Sequence, residues 1–433
     1  MKTYKIITLG CKVNAYESEA MAHQLDNAGY FKANDSDIAD VVIINTCTVT
    51  STSDQKSRQM IRKAINNNPD ALIIVSGCYS QMSTEFVSEI PGVDIVIGNS
   101  KKNNLVDLIT KKSQISSVLV EKTSGRELKD YEEMKVTSYH DNTRAFLKIQ
   151  DGCNNFCSYC VIPYARGPVR SRKKEDVLNE TKELVAKGFK EIVLTGIHTA
   201  MYGVDLDNYS FFDLLMDLVE IEGIERIRIS SIEESEIDDK IINLAFSNSK
   251  IVNHFHMPLQ SGCDTVLQRM NRKYNTAQFY EKMSKIRSIV KDVAITADVI
   301  VGFPKETEEE FNKTYEFIKK AEFSELHVFP YSMRSGTPAA KMSGQIDPKI
   351  KKQRVHKLLE LNEELALKYA KKFENKELGV LFETFDEKTS TLIGHTTNYL
   401  KVEVVGSKDY LNTIKNVKIL ETGYPLNKGI IID

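Results

Sequence analysis

Ala145-Phe-Leu-Lys-Ile-Gln150-Asp-Gly-Cys153-Asn-Asn-Phe-Cys157-Ser-Tyr-Cys160 joins a strand-like run to three cysteines spaced Cys-x3-Cys-x2-Cys. Five further strand-like runs follow: Ile192 to Thr195, Arg226 to Ser230, His254 to Leu259, Ala294 to Val301, and Leu326 to Tyr331. Helical stretches over Lys174 to Lys187, Asn275 to Val290 and Glu306 to Ala321 separate several of them. Six strands with crossover helices predict a partial (β/α)6 barrel. The number of thiolates matters as much as their spacing. A structural zinc site closes with four Cys or His ligands, whereas a 4Fe-4S cluster on three cysteines keeps one iron open. An open iron implies chemistry, so the segment points to an enzyme; a zinc knuckle short of one ligand, or three core cysteines, are the bland alternatives.

The first hundred residues repeat a different unit. Tyr4 to Leu9 ends at Gly10-Cys11, Val41 to Asn45 at Thr46-Cys47, and Leu72 to Ser76 at Gly77-Cys78. The intervals between these cysteines, 36 and 31 residues, suit βαβ units. Parallel strands would set all three thiols just beyond their carboxyl ends, where open α/β sheets bind ligands. Three scattered cysteines thereby become one candidate site. The expected organisation is an open parallel α/β domain over 1–112, a polar linker over 113–138, the partial barrel over 139–370, and a small antiparallel β-barrel over 371–433. Lys349 to Lys372, free of Pro and Gly, reads as a long helix leaving the central barrel.

Composition describes a soluble globular protein: 41% hydrophobic and 27% charged residues in 433. Apolar runs such as Ala71 to Val75 are too short for a membrane span, and the N-terminus turns directly into a strand pattern. The expected setting is therefore the cytoplasm, with no membrane partner, where seven cysteines serve metals rather than disulfides. A net charge of −2 excludes a bulk polyanion binder, so any RNA contact must be local. Candidate basic runs are Lys56, Arg58, Arg62 and Lys63; Arg166, Arg170, Arg172, Lys173 and Lys174; and Arg269, Arg272 and Lys273. The segment 371–433 balances nine lysines with nine acidic residues, a weak electrostatic footprint.

The triplet, with aromatic Tyr159 before its last cysteine, resembles the fingerprint of the radical S-adenosylmethionine superfamily. That resemblance implies a 4Fe-4S cluster on Cys153, Cys157 and Cys160, with S-adenosylmethionine on the open iron. Positioning residues are expected at the carboxyl ends of later strands. The candidates are Tyr159; Thr195, Gly196 and His198 after the second strand; Ser230 and Glu233 after the third; Gln260 after the fourth; and Asp298 and Gly302 on the fifth. Cys263 reads as a small buried residue.

Further motifs widen the resemblance to the whole chain: Leu9-Gly-Cys11-Lys-Val-Asn14, Asn45-Thr-Cys47-Thr-Val-Thr50, Ser76-Gly-Cys78, Val161-Ile-Pro-Tyr164 with Arg166-Gly167, and Leu259-Gln-Ser-Gly262. Together they resemble the methylthiotransferase family. The resemblance implies a second 4Fe-4S cluster on Cys11, Cys47 and Cys78, and a C-terminal TRAM-like module that contacts RNA. Lys12-Val13, Lys56-Ser-Arg-Gln59 and His327-Val-Phe-Pro-Tyr331 with Gly336-Thr-Pro338 look like the branch acting on threonylcarbamoyladenosine of tRNA; the isopentenyladenosine branch typically carries Gln-Met at Lys12-Val13. The implied partners are a tRNA anticodon stem-loop, an electron donor and a sulfur source, with Arg166, Arg170, Arg172 and Arg272 as candidate RNA contacts. Isopentenyladenosine or a ribosomal-protein aspartate as substrate, and a non-catalytic iron-sulfur protein, stand as alternatives.

Overall fold

The N-terminal units form one parallel sheet in the order Phe31–Lys32, Thr3–Thr8, Val41–Thr46, Leu72–Gly77, Ile95–Ile97, Leu119–Glu121. The computed structural model describes residues 2–34, 36–137, 139 and 143–432. Val41–Thr46 is buried along its whole length, as an inner strand covered on both faces must be. Chain order reverses between Thr3–Thr8 and Val41–Thr46, which makes the crevice at their carboxyl ends the switch point of the sheet. Cys11 and Cys47 flank that crevice, and Cys78 follows the next strand.

Residues 113–138 are not a free linker. Leu119–Glu121 is the sixth strand of the sheet, and Met134 and Val136 are buried in the largest apolar core. Three residues of strand carry too little periodicity to read, and an edge position tolerates the polar sequence around them.

The central six strands run in sequence order as two parallel sheets, Ala145–Lys148, Glu191–Thr195, Arg226–Ile229 and His254–His256, Ala294–Val301, Glu325–Pro330. Bridges at Ile227–Ile251 and Ser231–His256 join them. Alternation sorts the side chains. Leu147, Leu194, Ile229, Phe255, Val299 and Leu326 join the apolar core under the helices, so the opposite face, carrying Lys148, Glu191, Arg228, His256, Asp298 and His327, lines the interior. Among the described residues no ladder pairs the first strand with the sixth, which leaves the barrel open on that side.

The N-terminal sheet covers this opening. Near the first strand, Lys148 Nζ meets Glu17 Oε1 at 2.9 Å; beyond the sixth, Arg334 meets Asp54 at 2.7 Å and Thr48 at 2.6 Å. The helix Pro348–Lys371 does not leave the barrel. It packs Leu358, Leu361 and Leu365 into the barrel core, accepts a bond from Leu326 N at Asn362 Oδ1 (2.7 Å), and then delivers Tyr369 to the core of the C-terminal barrel.

That barrel is closed and five-stranded: Glu377–Asp386, Thr391–Thr396, Lys401–Val405, Asn427–Ile431, Ile414–Glu421. One pairing, Lys401–Val405 with Asn427–Ile431, is parallel rather than antiparallel. It plugs the amino-terminal mouth of the central barrel. Arg226 donates to the carbonyls of His395 and Gly379 at 2.9 Å each, Arg144 meets Glu383 at 2.9 Å, and the Tyr399 ring stacks on His254 at 4.2 Å. No helix among the described residues is long and apolar enough to cross a membrane.

Candidate functional site

The loop after the first barrel strand brings Cys153, Cys157 and Cys160 to one wall of a cavity of about 230 Å³. N–H groups surround the sulfurs. Backbone N–H of Asn155 donates to Cys153 Sγ and that of Ile162 to Cys160 Sγ, each at 3.4 Å; Arg272 Nη1 donates to Cys157 Sγ at 3.3 Å. His198 Nδ1 lies 3.8 Å from Cys153 Sγ, and its Nε2 is 2.6 Å from Glu236. Burial alone would lower the His198 imidazolium, but the Cys153 sulfur and Glu236 outweigh it and raise it to about 10. Burial, with the sulfurs of Cys157 and Cys153, pushes the Cys160 thiol up to about 12. A free Cys160 thiol is therefore protonated, and a metal must displace its proton for the thiolate to form.

Sulfurs ringed by N–H donors suit an anionic cluster. Zinc would need its ligand atoms much closer together. Among the described residues, the one group of three possible ligands drawn within 4.8 Å is His256, Asp298 and His327, so neither cysteine trio closes that tightly. The donor set fits a 4Fe-4S cluster, and neither trio is drawn close enough for zinc.

Of the strand-end candidates, Tyr159, His198, Glu233, Gln260 and Asp298 line this cavity. Glu233 is held by Arg272, and Gln260 takes φ +64 there. Asp298 accepts from His327 Nδ1 at 3.1 Å and lies 3.4 Å from His256 Nε2. Burial would raise its carboxyl, but the two imidazoles outweigh burial and hold it ionised, below the usual range.

Four candidates lie elsewhere. Thr195 is buried, bonding the Val193 carbonyl at 3.1 Å. Gly196 makes room for Gln150, whose Oε1 would stand 2.8 Å from a Cβ at that position and accepts from His198 N at 2.8 Å. Ser230 turns inward onto Thr199 at 3.1 Å, and its neighbour Ser231 reaches the cavity; one residue along a strand exchanges faces. Gly302 packs under the Lys351 stem. Cys263 is buried against Val266, Met270 and Phe303.

The four arginines read as RNA contacts all have buried side chains engaged with protein groups. Arg172 bonds Glu180 at 2.8 Å, Arg170 bonds the Arg166 and Pro168 carbonyls at 2.7 and 2.9 Å, and Arg272 serves the cysteine wall. Arg166 ties the two halves of the molecule together. Its Nη1 donates to Glu17 (2.9 Å) and Asp151 (3.0 Å), its Nη2 to Asn14 (2.9 Å), and its Nε to Cys78 Sγ (3.3 Å). Lys148 meets Glu17 at 2.9 Å and Asp151 at 2.7 Å, and Lys102 also pairs with Glu17. Burial would neutralise Glu17, but Arg166, Lys102 and Lys148 outweigh it and keep the carboxylate well below its usual range. Cations outnumber carboxylates in this network, which touches the second trio at Cys78.

Cys78 also accepts from Asn99 Nδ2 at 3.5 Å, so the second trio has donors of its own. Gly10 (φ +105) lies against Cys47: a Cβ there would stand 3.0 Å from Cys47 Sγ. Gly77 (φ +99) would bring a Cβ to 2.5 Å from the Thr46 carbonyl. Glycine before each of Cys11 and Cys78 thus allows the strand ends to crowd together. Cys47 and Cys78 are buried; Cys11 and Lys12 present surface to solvent although protein surrounds them.

Residues 3–98 match the uncharacterized protein family UPF0004 and residues 147–318 match the radical SAM superfamily. The chain is 49% identical to the threonylcarbamoyladenosine tRNA methylthiotransferase MtaB of Bacillus subtilis (strain 168), over 99% of this chain and 96% of that protein. It is 41% identical to the protein of the same name from Thermotoga maritima, over 94% and 92%. Identity is 36% to the tRNA-2-methylthio-N(6)-dimethylallyladenosine synthase of Clostridium tetani, over 97% and 94%. Among solved structures, the radical S-adenosylmethionine methyltransferase TsrM from Kitasatospora setae shares the fold with a TM-score of 0.58 at 14% identity, covering 78% of this chain and 76% of that one. Cysteine wall, barrel topology and full-length similarity agree, and the chain belongs to the radical S-adenosylmethionine methylthiotransferase family.

Proposed function

We propose that the protein is a tRNA methylthiotransferase that replaces the C2 hydrogen of N6-threonylcarbamoyladenosine, beside the anticodon, with a methylthio group, giving 2-methylthio-N6-threonylcarbamoyladenosine. The observation that carries this reading is the pair of cysteine trios joined through Arg166, which contacts Cys78 and also Asp151, two residues before Cys153. Higher identity to relatives named for threonylcarbamoyladenosine, 49% and 41% against 36% for the one named for dimethylallyladenosine, supports the choice of base.

In this reading 1–112 is the auxiliary-cluster domain, 139–370 the radical core and 371–433 the RNA-contacting barrel. Cys153, Cys157 and Cys160 hold one 4Fe-4S cluster, and Cys11, Cys47 and Cys78 hold a second. The first cluster, when bound, supplies the electron that cleaves S-adenosylmethionine to a 5′-deoxyadenosyl radical, which removes the C2 hydrogen. The chain does the positioning. Gln260, Glu233 and Asp298 line the S-adenosylmethionine cavity, and Arg272 and His198 orient Cys157 and Cys153. The buried cations around Glu17 and Asp151 keep the second trio at a set distance from the first. The inserted sulfur comes from a separate source through the second trio, and a second S-adenosylmethionine supplies the methyl group.

The base must leave the anticodon loop to reach the cavity. With the four arginines buried, the exposed cations Lys56, Arg62 and Lys63 on the helix Ser51–Asn67 form the surface for loop phosphates. The protein acts in the cytoplasm, where an electron donor must reach it. Nucleoside mass spectrometry of tRNA from a deletion strain tests the assignment. Loss of the methylthio form of threonylcarbamoyladenosine is expected; its persistence, or loss of the isopentenyl counterpart instead, refutes it.

A further inference from the structure

Phe329, on the last barrel strand, carries an aromatic ring left half open to solvent. The strand Glu325–Pro330 alternates: Leu326 and Val328 pack against the apolar core under the helices, whereas His327 and Phe329 share the inward face and are 44% and 45% exposed. Elsewhere on that face, Lys148, Glu191, Arg228, His256 and Asp298 are buried or partly buried and bonded to protein groups. On an outer surface a single exposed ring needs no explanation. At the opening of a barrel whose inward charges are satisfied, it offers apolar area for a ligand to cover.

Bonds on both sides fix where the ring stands. Phe329 is in register with Ile300, whose amide donates to the Gln260 carbonyl at 2.8 Å, and His327, one inward position earlier, bonds Asp298 at 3.1 Å. Gln260 and Asp298 line the cavity beside Cys153, Cys157 and Cys160. Just beyond Phe329, Ser332 Oγ accepts from Ser51 N at 2.8 Å, and Arg334 bonds Thr48, the neighbour of Cys47, at 2.6 Å. Phe329 therefore lies on the stretch of chain that runs from the first trio's cavity to the loop of the second trio. A substrate carbon that loses hydrogen at the one and gains sulfur from the other must lie along that span.

We propose that Phe329 is a substrate-binding residue whose ring stacks on the adenine that leaves the anticodon loop. This rests on an adenine of tRNA being the substrate, and holds whichever group its N6 carries. Aromatic side chains grip splayed-out bases by their faces, which replaces the stacking lost when the base leaves the loop. The adenine of S-adenosylmethionine presents the same kind of face. The continuation of the Phe329 strand onto the loop of the second trio favours the RNA base, and the two sources are separable by measuring each ligand alone.

The test uses the reconstituted holoprotein and anticodon stem-loops carrying threonylcarbamoyladenosine, isopentenyladenosine or an abasic residue beside the anticodon. Dissociation constants are measured for each loop and for S-adenosylmethionine without RNA, and methylthiolation of the two base-carrying loops is scored. The natural protein is expected to bind the loop it methylthiolates about tenfold more tightly than the abasic loop, the scale of one base–aromatic stack. Phe329→Leu, which keeps apolar bulk without the ring, should weaken that loop by about the same factor and leave the abasic loop unchanged; Phe329→Tyr should restore the difference. Equal weakening of both loops by Phe329→Leu, no difference between them in the natural protein, or weaker binding of S-adenosylmethionine without RNA overturns the proposal. Should the natural protein methylthiolate neither base-carrying loop, the tRNA reading falls and this inference with it; natural methylthiolation alongside an undiminished difference in Phe329→Leu sinks the inference alone.

Discussion

Replacing Arg166 by methionine should loosen the seam between the two cysteine-bearing halves while leaving the C-terminal barrel untouched. The change keeps most of the buried volume and removes a wholly buried guanidinium whose partners are Glu17, Asp151, Asn14 and Cys78. Breaking a buried pair by deleting one member costs about 3–5 kcal/mol, because the other charge stays buried. Here Lys148 bonds both Glu17 and Asp151 and Lys102 bonds Glu17, so both carboxylates keep a cation. The lower end applies, about 3 kcal/mol, which is roughly a hundredfold in the equilibrium for local opening. Native-state amide exchange on the metal-free chain reads this directly. Helix Lys12–Asn27, which carries Asn14 and Glu17, should exchange roughly a hundredfold faster, and so should the first barrel strand, Ala145–Lys148. Amides of Glu377–Asp386 should not change. Unaltered exchange in the helix, or equal acceleration in the C-terminal barrel, would refute the view of Arg166 as an interdomain strut.

Three other perturbations test separate parts of the molecule. Cys157→Ala should abolish 5′-deoxyadenosine formation by the reconstituted protein, whereas Cys47→Ala should retain it and lose methylthiolation; identical defects in both would end the two-cluster division of labour. Glu191 is fully buried, and Arg228, with Arg144 and Arg226, outweighs burial and holds its carboxyl at about 2, against the usual value of 4.5. A depressed folded value stabilises above pH 4.5 and the contribution, roughly 3 kcal/mol, is lost as pH falls from there toward 2. The stability gap between the natural protein and Glu191→Gln, taken from urea midpoints, should therefore narrow on acidification through that window; a constant gap contradicts the pairing. Tyr399→Ala removes a ring stacked 4.2 Å from His254 and 5.1 Å from the Arg228 guanidinium. It should weaken docking of the C-terminal barrel by about 1–2 kcal/mol, seen as faster proteolysis near residue 376; an unchanged cleavage rate argues that the bonds of Arg226 to the His395 and Gly379 carbonyls suffice.

Local order dictated much of this architecture and the strand-end placement of the cysteines. Short apolar runs ending in cysteine placed Cys11, Cys47 and Cys78 at strand ends, and the compact triplet is a local motif whose spacing alone joins its thiols. What failed were statements about which way a side chain points. Arg166, Arg170, Arg172 and Arg272 resemble an RNA-binding run in a list of charges, yet their side chains are buried: Arg166 and Arg272 donate to sulfurs, Arg172 pairs with Glu180, and Arg170 bonds the Arg166 and Pro168 carbonyls. The alternation Arg226-Ile-Arg228-Ile was a readable hint that the barrel interior carries charge, since the isoleucines must face the helices. Ser230 and Ser231 differ by one step along a strand, and only the register decides which one reaches the cavity.

By itself, then, the sequence determined the three-part organisation, the two cysteine trios and the family, because hydrophobic period and ligand spacing are properties of short segments. The tertiary structure alone decided that Arg166 joins the two halves that carry the trios, and that the four arginines spend their guanidinium groups on protein partners. Those facts depend on packing between residues more than a hundred positions apart, such as Glu17 with Lys148 and Asn14 with Arg166. Burial assigns such charges their partners, and no local pattern encodes it.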